Sequence, residues 1–239
     1  MLPSDLGSQV SNKTSRSLIL GLGQTGISLF NYLRKFELEP IIFDTRDDPA
    51  CKKELLKKSK NPLIISNLKE IAFDEIRSCY MSPGFEISHE IVKKLKTHNI
   101  EILSDLDLFL EVHAKKSILV TGTNGKTSVV SLLQHVMKSL ELKVKSIGNN
   151  GFPVLDHIED RLDYFVIEVS SFQIERTKSL SSLVSVLLNI SPDHLDVHDS
   201  FEQYANIKKR IFENSNFKIG PEGTGLDLDF LMPEITDHE

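Results

Sequence analysis

Short apolar runs alternate with stretches of helical periodicity from Ser17 onward, and this alternation predicts βαβ units that build parallel sheets. The runs form two series, which meet near Val112–Lys116, where one helical pattern ends and a fresh strand begins. Each series opens with a strand, a glycine-rich turn and a helix, an arrangement that presents backbone N–H groups and the positive end of a helix dipole to an anion. The predicted fold class is α/β, with a Rossmann-like parallel-sheet N-terminal domain followed by a partial phosphate-loop domain.

The pattern also predicts where the elements lie. Residues 16–113 are assigned to the first domain and residues 114–218 to the second, with a disordered start at 1–15. Residues 219–239 have neither helical nor strand periodicity and are interpreted as a loose acidic tail. The first series predicts strands near Leu18–Leu20, Pro40–Phe43, Leu63–Ile65, Cys79–Met81 and Glu101–Leu103, and the second near Ile118–Val120, Val144–Ile147, Tyr164–Val169 and Val184–Asn189. Helices are predicted near Ile27–Phe36, Glu90–His98, Lys126–Leu140 and Phe201–Phe212.

Composition narrows the class of protein. Hydrophobic residues make up 40% and charged residues 26% of the 239 residues, a mixture typical of a globular chain with a sizeable core. No apolar run approaches the ~18 residues of a membrane helix, and the polar start lacks the apolar stretch of a secretory signal, so a cytoplasmic protein is expected. Cys51 and Cys79 are too few and too far apart for a disulfide framework or a zinc site.

The charge lies almost entirely at one end of the chain. The net charge is −6, and residues 219–239 contain six acidic side chains and no Lys or Arg, so the preceding residues are balanced. With no net charge on the residues before 219, the sequence lacks the excess of basic residues that is typical of a nucleic-acid-binding surface. Neither a nucleic-acid partner nor membrane insertion is expected.

The first glycine-rich turn, Gly21–Gly26, reads G-x-G-x-x-G between an apolar strand and an amphipathic helix. Its glycines permit a tight turn and a close approach of the backbone to a pyrophosphate. About 18 residues later Asp44 closes the second strand, where dinucleotide-binding folds place the acid that takes ribose hydroxyls. Taken alone, these features favour an NAD(P) site, with a tight turn that binds no ligand as the alternative, because the motif cannot name the nucleotide.

The second glycine-rich turn is more informative. Thr121–Thr127, with the sequence TGTNGKT, joins a strand to a helix, so its backbone is suited to cradle phosphates with Lys126 on the β- and γ-phosphates and Thr127 on Mg²⁺. It departs from the usual G-x-x-x-x-G-K-[ST] pattern, because the expected first glycine position holds Val120 and the glycine is Gly122. The alternative is a lysine that merely lies near a turn.

Three further groups follow strands of the second series. Glu168 ends an apolar run, where an acid can hold Mg²⁺ opposite the phosphate loop, although an exposed edge acid is the alternative. His194 lies in Asp193–Asp196 at the carboxyl end of the next strand, and a lone histidine there is more often structural. Lys208 is one of three consecutive bases, and on spacing alone it is typical of a solvated helix face.

Taken together, the motifs resemble those of the Mur ligases of peptidoglycan synthesis. The resemblance runs from about Ser17 to Phe217 and is carried in the second domain by TGTNGKT, the GNNG at Gly148–Gly151, EVSSFQ, NISPDHLD and QYANIKKRIF. In the first domain GLGQTG, the DTR at Asp44–Arg46 and the SPG at Ser82–Gly84 are most similar to the branch that adds D-glutamate to UDP-N-acetylmuramoyl-L-alanine. Several ordered motifs across two domains are more specific than either glycine turn.

The resemblance implies roles for matching residues. The first domain would bind the UDP end of the muramoyl substrate and no nicotinamide, the second would bind ATP with two Mg²⁺ ions, and Lys208 would carry a CO₂-derived carbamate that serves as an oxygen ligand. Lys126, His194 and Lys208 would be catalytic. The implied substrate-binding residues are Gln24, Thr25, Asp44, Thr45, Arg46, Ser82, Gly84, Asn149 and Ser170; the ATP-binding residues are Gly122, Thr123, Asn124, Gly125, Lys126 and Thr127; and the metal ligands are Thr127, Glu168, His194 and Lys208.

The implied activity is ATP-dependent amide-bond formation through an acyl phosphate, by a monomer that acts on small molecules. Family members have a third domain that nothing after Phe217 resembles, so an incomplete form that cannot finish the reaction alone is expected. The alternatives are an NAD(P)-dependent oxidoreductase, a folylpolyglutamate-synthase-like ligase, which shares the GTNGKT loop but lacks this first domain, and a non-catalytic nucleotide-binding fragment.

Overall fold

The computed structural model describes residues 16–36, 38–193, 200–222 and 227–232. The chain forms two compact units that divide between Val112 and His113, and Leu155–His157 belongs with the first unit. Within the described ranges no helix is long and apolar enough to cross a bilayer. The predicted disordered start, residues 1–15, lies outside the described residues.

The first unit is built on a parallel sheet. Its strands are Arg16–Leu20 (β1), Ile41–Phe43 (β2), Ile64–Ile65 (β3), Ile76–Met81 (β4) and Glu101–Leu103 (β5), and its helices are Gln24–Arg34 (α1), Lys52–Lys58 (α2), Glu90–Thr97 (α3) and Asp105–His113 (α4). The strand order is β3-β2-β1-β4-β5. Leu18, Ile19 and Leu20 are fully buried because β1 lies in the middle of a sheet that is covered on both faces. The order reverses at β1, so a ligand crevice is expected outside the carboxyl ends of β1 and β4.

The second unit repeats this plan with a larger sheet. Its strands are Ser117–Thr121 (β6), Val144–Gly148 (β7), Tyr164–Glu168 (β8), Ser181–Leu187 (β9), Asn214–Pro221 (β10) and Phe230–Met232 (β11), and its helices are Lys126–Ser139 (α5), Ser171–Arg176 (α6) and Phe201–Lys209 (α7). The strand order is β11-β10-β9-β6-β8-β7, and all the pairs are parallel. Here the order reverses at β6, which lies between β8 and β9, so the carboxyl ends of these three strands form the expected ligand edge.

The predicted α/β class with parallel sheets is confirmed. Two helices and two strands were not predicted, namely α2, α6, β10 and β11. The interpretation of residues 219–239 as a loose tail is wrong where the structure describes them, because residues 219–221 complete β10 and Phe230–Met232 form β11 beside them. Backbone hydrogen bonds within the sheet fix these two segments as strands. Their sequences are short and partly polar, so the residue pattern alone does not predict a strand there.

Candidate functional site

The turn after β1 depends on two of its glycines. Gly21 has φ +90°, and a Cβ added to Gly26 would meet the carbonyl oxygen of Gly21 well inside contact distance. Gly23 is the N-cap residue of α1, and no described side chain caps that helix. The first N–H groups of α1 and the positive end of its dipole are therefore suited to an anion.

Asp44 supports this turn. Its Oδ2 accepts a 2.7 Å hydrogen bond from the Leu22 N–H, and the Arg46 guanidinium donates to both carboxylate oxygens at 2.8 and 2.7 Å. Burial would raise the pKa of Asp44, but the hydrogen bonds from Arg46 and Leu22 outweigh it and hold the pKa below its usual value. The carboxylate is thus ionised and occupied by protein donors, whereas the Arg46 side chain is 54% exposed.

Ser82 ties the end of β4 to the same turn. Its backbone N–H donates to the Leu20 carbonyl at 2.9 Å, and its hydroxyl donates to the Gly21 carbonyl at 3.0 Å. The residues that the sequence assigned to the UDP site in this unit therefore lie along one edge of the sheet. Gln24 and Thr25 begin α1, Asp44, Thr45 and Arg46 follow β2, and Ser82 and Gly84 follow β4.

The phosphate-type loop of the second unit follows β6. Gly125, with φ +80°, is the N-cap residue of α5, and no described side chain caps this helix. Asn189, which follows β9, clamps the loop: its carbonyl accepts from the Thr123 N–H at 3.1 Å, and its side chain exchanges hydrogen bonds with the Asn124 backbone at 2.9 and 3.1 Å. Lys126 Nζ donates to the carbonyls of Gly122 and Thr123 at 2.8 and 2.9 Å.

Glu168 lies opposite this loop at the end of β8. Its side chain is buried, and its two oxygens accept from the Thr127 hydroxyl at 2.7 Å and from Asn149 Nδ2 at 3.0 Å. Both donors are neutral, so the buried carboxylate has no cation among these partners to offset its desolvation. The Thr127 hydroxyl and the Glu168 carboxylate are oxygen donors of the kind that Mg²⁺ prefers, so these two residues would be its ligands.

No group of three or more His, Cys, Asp or Glu side chains suited to a metal occurs within the described ranges. The predicted ligand His194 lies outside the described residues. The acidic metal ligand predicted from the sequence and described here is Glu168.

Lys208 is not on a solvated face, and that interpretation from spacing alone is wrong. The side chain is 2% exposed, because α7 turns it toward β6, where Nζ donates to the Gly122 carbonyl at 3.0 Å. Burial, with a smaller effect from the nearby charge of Lys126, lowers the pKa of Lys208 to about 8. The ammonium lies 4.9 Å from the ring centroid of Tyr204, whose hydroxyl hydrogen-bonds Thr123 Oγ1 at 3.2 Å.

Ser170 has a structural role here. Its hydroxyl accepts from the Gln173 N–H at 3.2 Å, and the Gln173 side chain accepts from the Ser170 N–H at 3.0 Å, which forms a capping box at the start of α6. Asn149 and Ser170, both predicted to contact substrate, therefore follow β7 and β8 in the second unit. Sequence reasoning did not single out Asn189 or Tyr204, which contact the loop across 65 and 81 residues.

Comparison with known proteins identifies the class. Residues 15–104 match the N-terminal domain of MurD-like Mur ligases, and residues 120–219 match the Mur ligase middle domain. The chain therefore belongs to the Mur ligase family and carries these two domains.

The relatives with curated names narrow the class further. The UDP-N-acetylmuramoylalanine–D-glutamate ligase of Caldanaerobacter subterraneus subsp. tengcongensis is 37% identical over 206 residues, which are 84% of this chain and 46% of the relative. The enzyme of the same name from Rickettsia bellii is 41% identical over 197 residues, which are 82% of this chain and 42% of the relative. The chain thus matches less than half the length of either relative.

A solved structure supports the fold. The UDP-N-acetylmuramate:L-alanyl-gamma-D-glutamyl-meso-diaminopimelate ligase from Neisseria meningitides superposes with a TM-score of 0.56 at 15% identity, covering 88% of this chain and 72% of the other. At this identity the likeness concerns the fold alone.

Proposed function

We propose that the two matched domains are the UDP-precursor-binding and ATP-binding parts of a ligase that adds D-glutamate to UDP-N-acetylmuramoyl-L-alanine. The observation that carries the proposal is the convergence of Lys126, Glu168 and Lys208 around one loop, in a chain whose relatives bear the name of that ligase. A cytoplasmic monomer that acts on small molecules is part of the proposal.

In the first unit, the uncapped start of α1 and the exposed Arg46 side chain are the proposed contacts to the UDP part. The pyrophosphate would take N–H groups of Gln24 and Thr25 at the helix start, where the dipole favours negative charge. Arg46, with its orientation fixed by Asp44, would bind toward the uridine end. Both oxygens of the Asp44 carboxylate already accept hydrogen bonds, from Leu22 and Arg46. This argues against Asp44 as the acid that binds ribose in an NAD(P) site.

In the second unit, ATP phosphates would lie on the loop from Gly122 to Thr127. Lys126 would exchange its bonds to the loop carbonyls for bonds to the β- and γ-phosphates, and Thr127 and Glu168 would hold Mg²⁺. When bound, Mg²⁺ neutralises charge on the phosphates. His194 is included as a further ligand on the sequence motif alone.

Lys208 is the proposed site of the carbamate. A carbamate forms when a neutral amine attacks CO₂ and releases a proton, so it needs the unprotonated lysine. With the pKa of Lys208 at about 8, roughly a quarter of the side chains are neutral near pH 7.5, compared with about a thousandth for an ordinary lysine. Burial thus prepares Lys208 for this modification.

The proposed reaction has two steps. The alanyl carboxylate of the UDP precursor attacks the γ-phosphorus and ADP leaves, which gives an acyl phosphate while the Lys126 ammonium offsets charge on the transferring group. The amine of D-glutamate then attacks the acyl carbon, and phosphate and a proton leave as the amide forms.

Calorimetric titration of the purified chain tests the first unit. We expect binding of UDP-N-acetylmuramoyl-L-alanine that weakens at least tenfold in Arg46→Ala, while the charge-matched variant Lys96→Ala on the exposed face of α3 keeps its affinity. NAD⁺ is titrated alongside. Binding of NAD⁺ instead of the UDP compound would contradict the proposal.

Titration with ATP and MgCl₂ tests the second unit. Lys126→Ala is expected to lower the affinity at least tenfold, because the ammonium that meets the phosphates is removed. Lys138→Ala, at the far end of the same helix, removes an exposed charge and serves as the control. Equal losses in both variants would show that the effect is general electrostatics, which the proposal does not allow.

A further inference from the structure

The segment after β9 runs alongside the phosphate-type loop of the second unit. The Leu188 N–H donates to the Thr121 carbonyl at 2.9 Å, and the Thr123 N–H donates to the Asn189 carbonyl at 3.1 Å. Backbone bonds therefore run in both directions between the two segments. The first part of the loop is held by the chain that follows β9.

Gly122 makes this close approach possible. A Cβ at position 122 would lie 3.0 Å from the Cβ of Leu188 and 3.4 Å from the backbone nitrogen of Asn189, which is tighter than ordinary side-chain contacts. The usual phosphate-loop pattern has its first glycine two residues earlier, where this chain has Val120 in the buried strand β6. The shifted position of the glycine is thus explained by its packing against the segment after β9.

The side chain of Asn189 binds both backbone groups of the next loop residue. Its Oδ1 accepts from the Asn124 N–H at 2.9 Å, and its Nδ2 donates to the Asn124 carbonyl at 3.1 Å. A side-chain amide can make this pair of bonds because it carries an acceptor and a donor side by side. Asn124 is therefore fixed at its N–H and at its carbonyl by one side chain.

The helix after the loop is anchored to the sheet by contacts of its own. Val130 of α5 is fully buried and packs with Val166 of β8. Further along the helix, Gln134 Oε1 accepts a 2.6 Å hydrogen bond from the Ser146 N–H of β7. Neither contact involves the loop, so α5 has a fixed position and Asn189 acts on the loop that leads into it.

These contacts divide four backbone N–H groups into two pairs. The N–H groups of Thr123 and Asn124 both donate to Asn189. Those of Lys126 and Thr127 lie in the first turn of α5, where N–H groups have no intrahelical partner and the helix dipole favours an anion. Of the four groups, the pair at the helix start is therefore the one available to phosphate oxygens.

We infer that Asn189 is a positioning residue for ATP, which holds the loop so that the start of α5, and not the backbone of Thr123 and Asn124, binds the phosphates. The inference rests on the proposed function, since it concerns the same ATP site. A loop that is fixed before ATP arrives does not have to be ordered on binding, and such ordering costs affinity. Loss of the Asn189 side chain should therefore weaken ATP binding, although no group that touches the nucleotide is removed.

Calorimetric titration with ATP and MgCl₂ tests the positioning role. We expect Asn189→Ala to raise the Kd for ATP at least fivefold, because the loop must then be ordered on binding. The control Asn216→Ala removes another exposed amide, on β10 near the start of the neighbouring β9 and away from the loop, and its Kd should change less than twofold. The bonds from Asn189 to Asn124 are exposed, so the melting temperatures of both variants should stay within about 2 °C of the parent.

Amide NMR supplies a readout that a merely structural role would not move. In the isotope-labelled parent chain, ATP with Mg²⁺ should shift the backbone amide signals of Lys126 and Thr127 more than those of the two residues bound by Asn189. Before ATP is added, the Asn124 amide proton should exchange with solvent at least tenfold faster in Asn189→Ala than in the parent, because its acceptor has been removed.

Three results would overturn the inference and leave the proposed function standing. One is equal affinity of the parent and Asn189→Ala for ATP. Another is a larger ATP-induced shift at Thr123 and Asn124 than at the helix start. The third is a fall of many degrees in the melting temperature of Asn189→Ala, which would make the residue part of the general fold. Absence of ATP binding by the parent chain would instead overturn both this inference and the proposed ATP site.

Discussion

Asp44 and Lys208 are both buried charged residues, and their surroundings differ in what they do to the charge. Asp44 is surrounded by donors, which hold its pKa below the usual value and keep it ionised. Lys208 has the Gly122 carbonyl and the Tyr204 ring as partners, and burial lowers its pKa to about 8. The first residue therefore orients Arg46, while the second is prepared to react as a neutral amine.

The shifted pKa of Lys208 predicts how stability depends on pH. Between pH 8 and the ordinary lysine value of 10.5, the unfolded chain binds more protons than the folded chain, so the free energy of unfolding rises with pH across this window. The rise is about 3 kcal/mol at most. We expect Lys208→Met to lack it and the exposed-site control Lys138→Met to retain it, as measured by urea unfolding at about pH 7.5 and about pH 10. Parallel profiles for parent and Lys208→Met would contradict this.

The sequence predicted the residues that a local motif contains and missed those that contact them from far along the chain. Lys126 and Thr127 begin α5 and Glu168 ends β8, positions that the apolar runs before them predicted. Asn189 and Tyr204 were missed, since their bonds to the loop exist only after distant strands and helices have packed. The hydrogen bonds from Arg46 to both oxygens of Asp44 likewise depend on side-chain geometry, which the spacing of residues in the sequence does not show.

At the scale of elements, each glycine-rich turn joins a buried strand to a helix without a side-chain cap. The first turn is held by Asp44 and Ser82 from the neighbouring strands β2 and β4. The second is held by Asn189, which follows β9. In both units the neighbouring strands, rather than the helix, fix the anion-binding backbone.

A pair of glycines in the first turn provides a matched test of this element. A Cβ at Gly26 would collide with the Gly21 carbonyl, whereas a Cβ at Gly23, which has φ −101°, meets nothing within 4 Å. We expect Gly26→Ala to lower the free energy of unfolding by about 1–3 kcal/mol and to weaken binding of the UDP precursor at least tenfold. Gly23→Ala should change stability by less than about 0.5 kcal/mol. Denaturant unfolding measures the stability of the two variants, and calorimetry measures their binding of the UDP precursor. Similar losses in Gly26→Ala and Gly23→Ala would contradict the predicted clash at Gly26.

Strands with an apolar run could be predicted, including the outer strands β3, β5 and β7, whereas β10 and β11 could not. β1 and β8 are continuous apolar runs because they are buried on both faces, and such runs stand out in a sequence. β10 begins Asn-Ser-Asn and is half exposed, and β11 has three residues, so neither shows a clear period. α2 buries only Leu55 among its seven residues, which leaves no apolar stripe to detect.

At the scale of the whole molecule, the two units carry separate proposed ligand edges. Arg46 belongs to the first and Lys126 to the second. A ligand that binds only the folded state stabilises it by about 2.7 kcal/mol at a hundred times its Kd. Each ligand should therefore stabilise the unit that binds it.

Calorimetric melting with each ligand checks this division. UDP-N-acetylmuramoyl-L-alanine should raise the melting temperature of the parent and of Lys126→Ala by similar amounts and that of Arg46→Ala by much less. ATP with Mg²⁺ should raise that of the parent and of Arg46→Ala by similar amounts and that of Lys126→Ala by much less. Loss of both shifts in either single variant would show that one site serves both ligands.

The bond from the Ser146 N–H to Gln134 has a consequence for the colloidal behaviour of the protein. β7 is the longer outer strand of its sheet, and the N–H groups of Ser146 and Gly148 are occupied by Gln134 Oε1 and the Phe152 carbonyl. A strand from a neighbouring molecule would find these two donors already engaged, which opposes edge-to-edge pairing at β7 and growth toward amyloid-like stacks there.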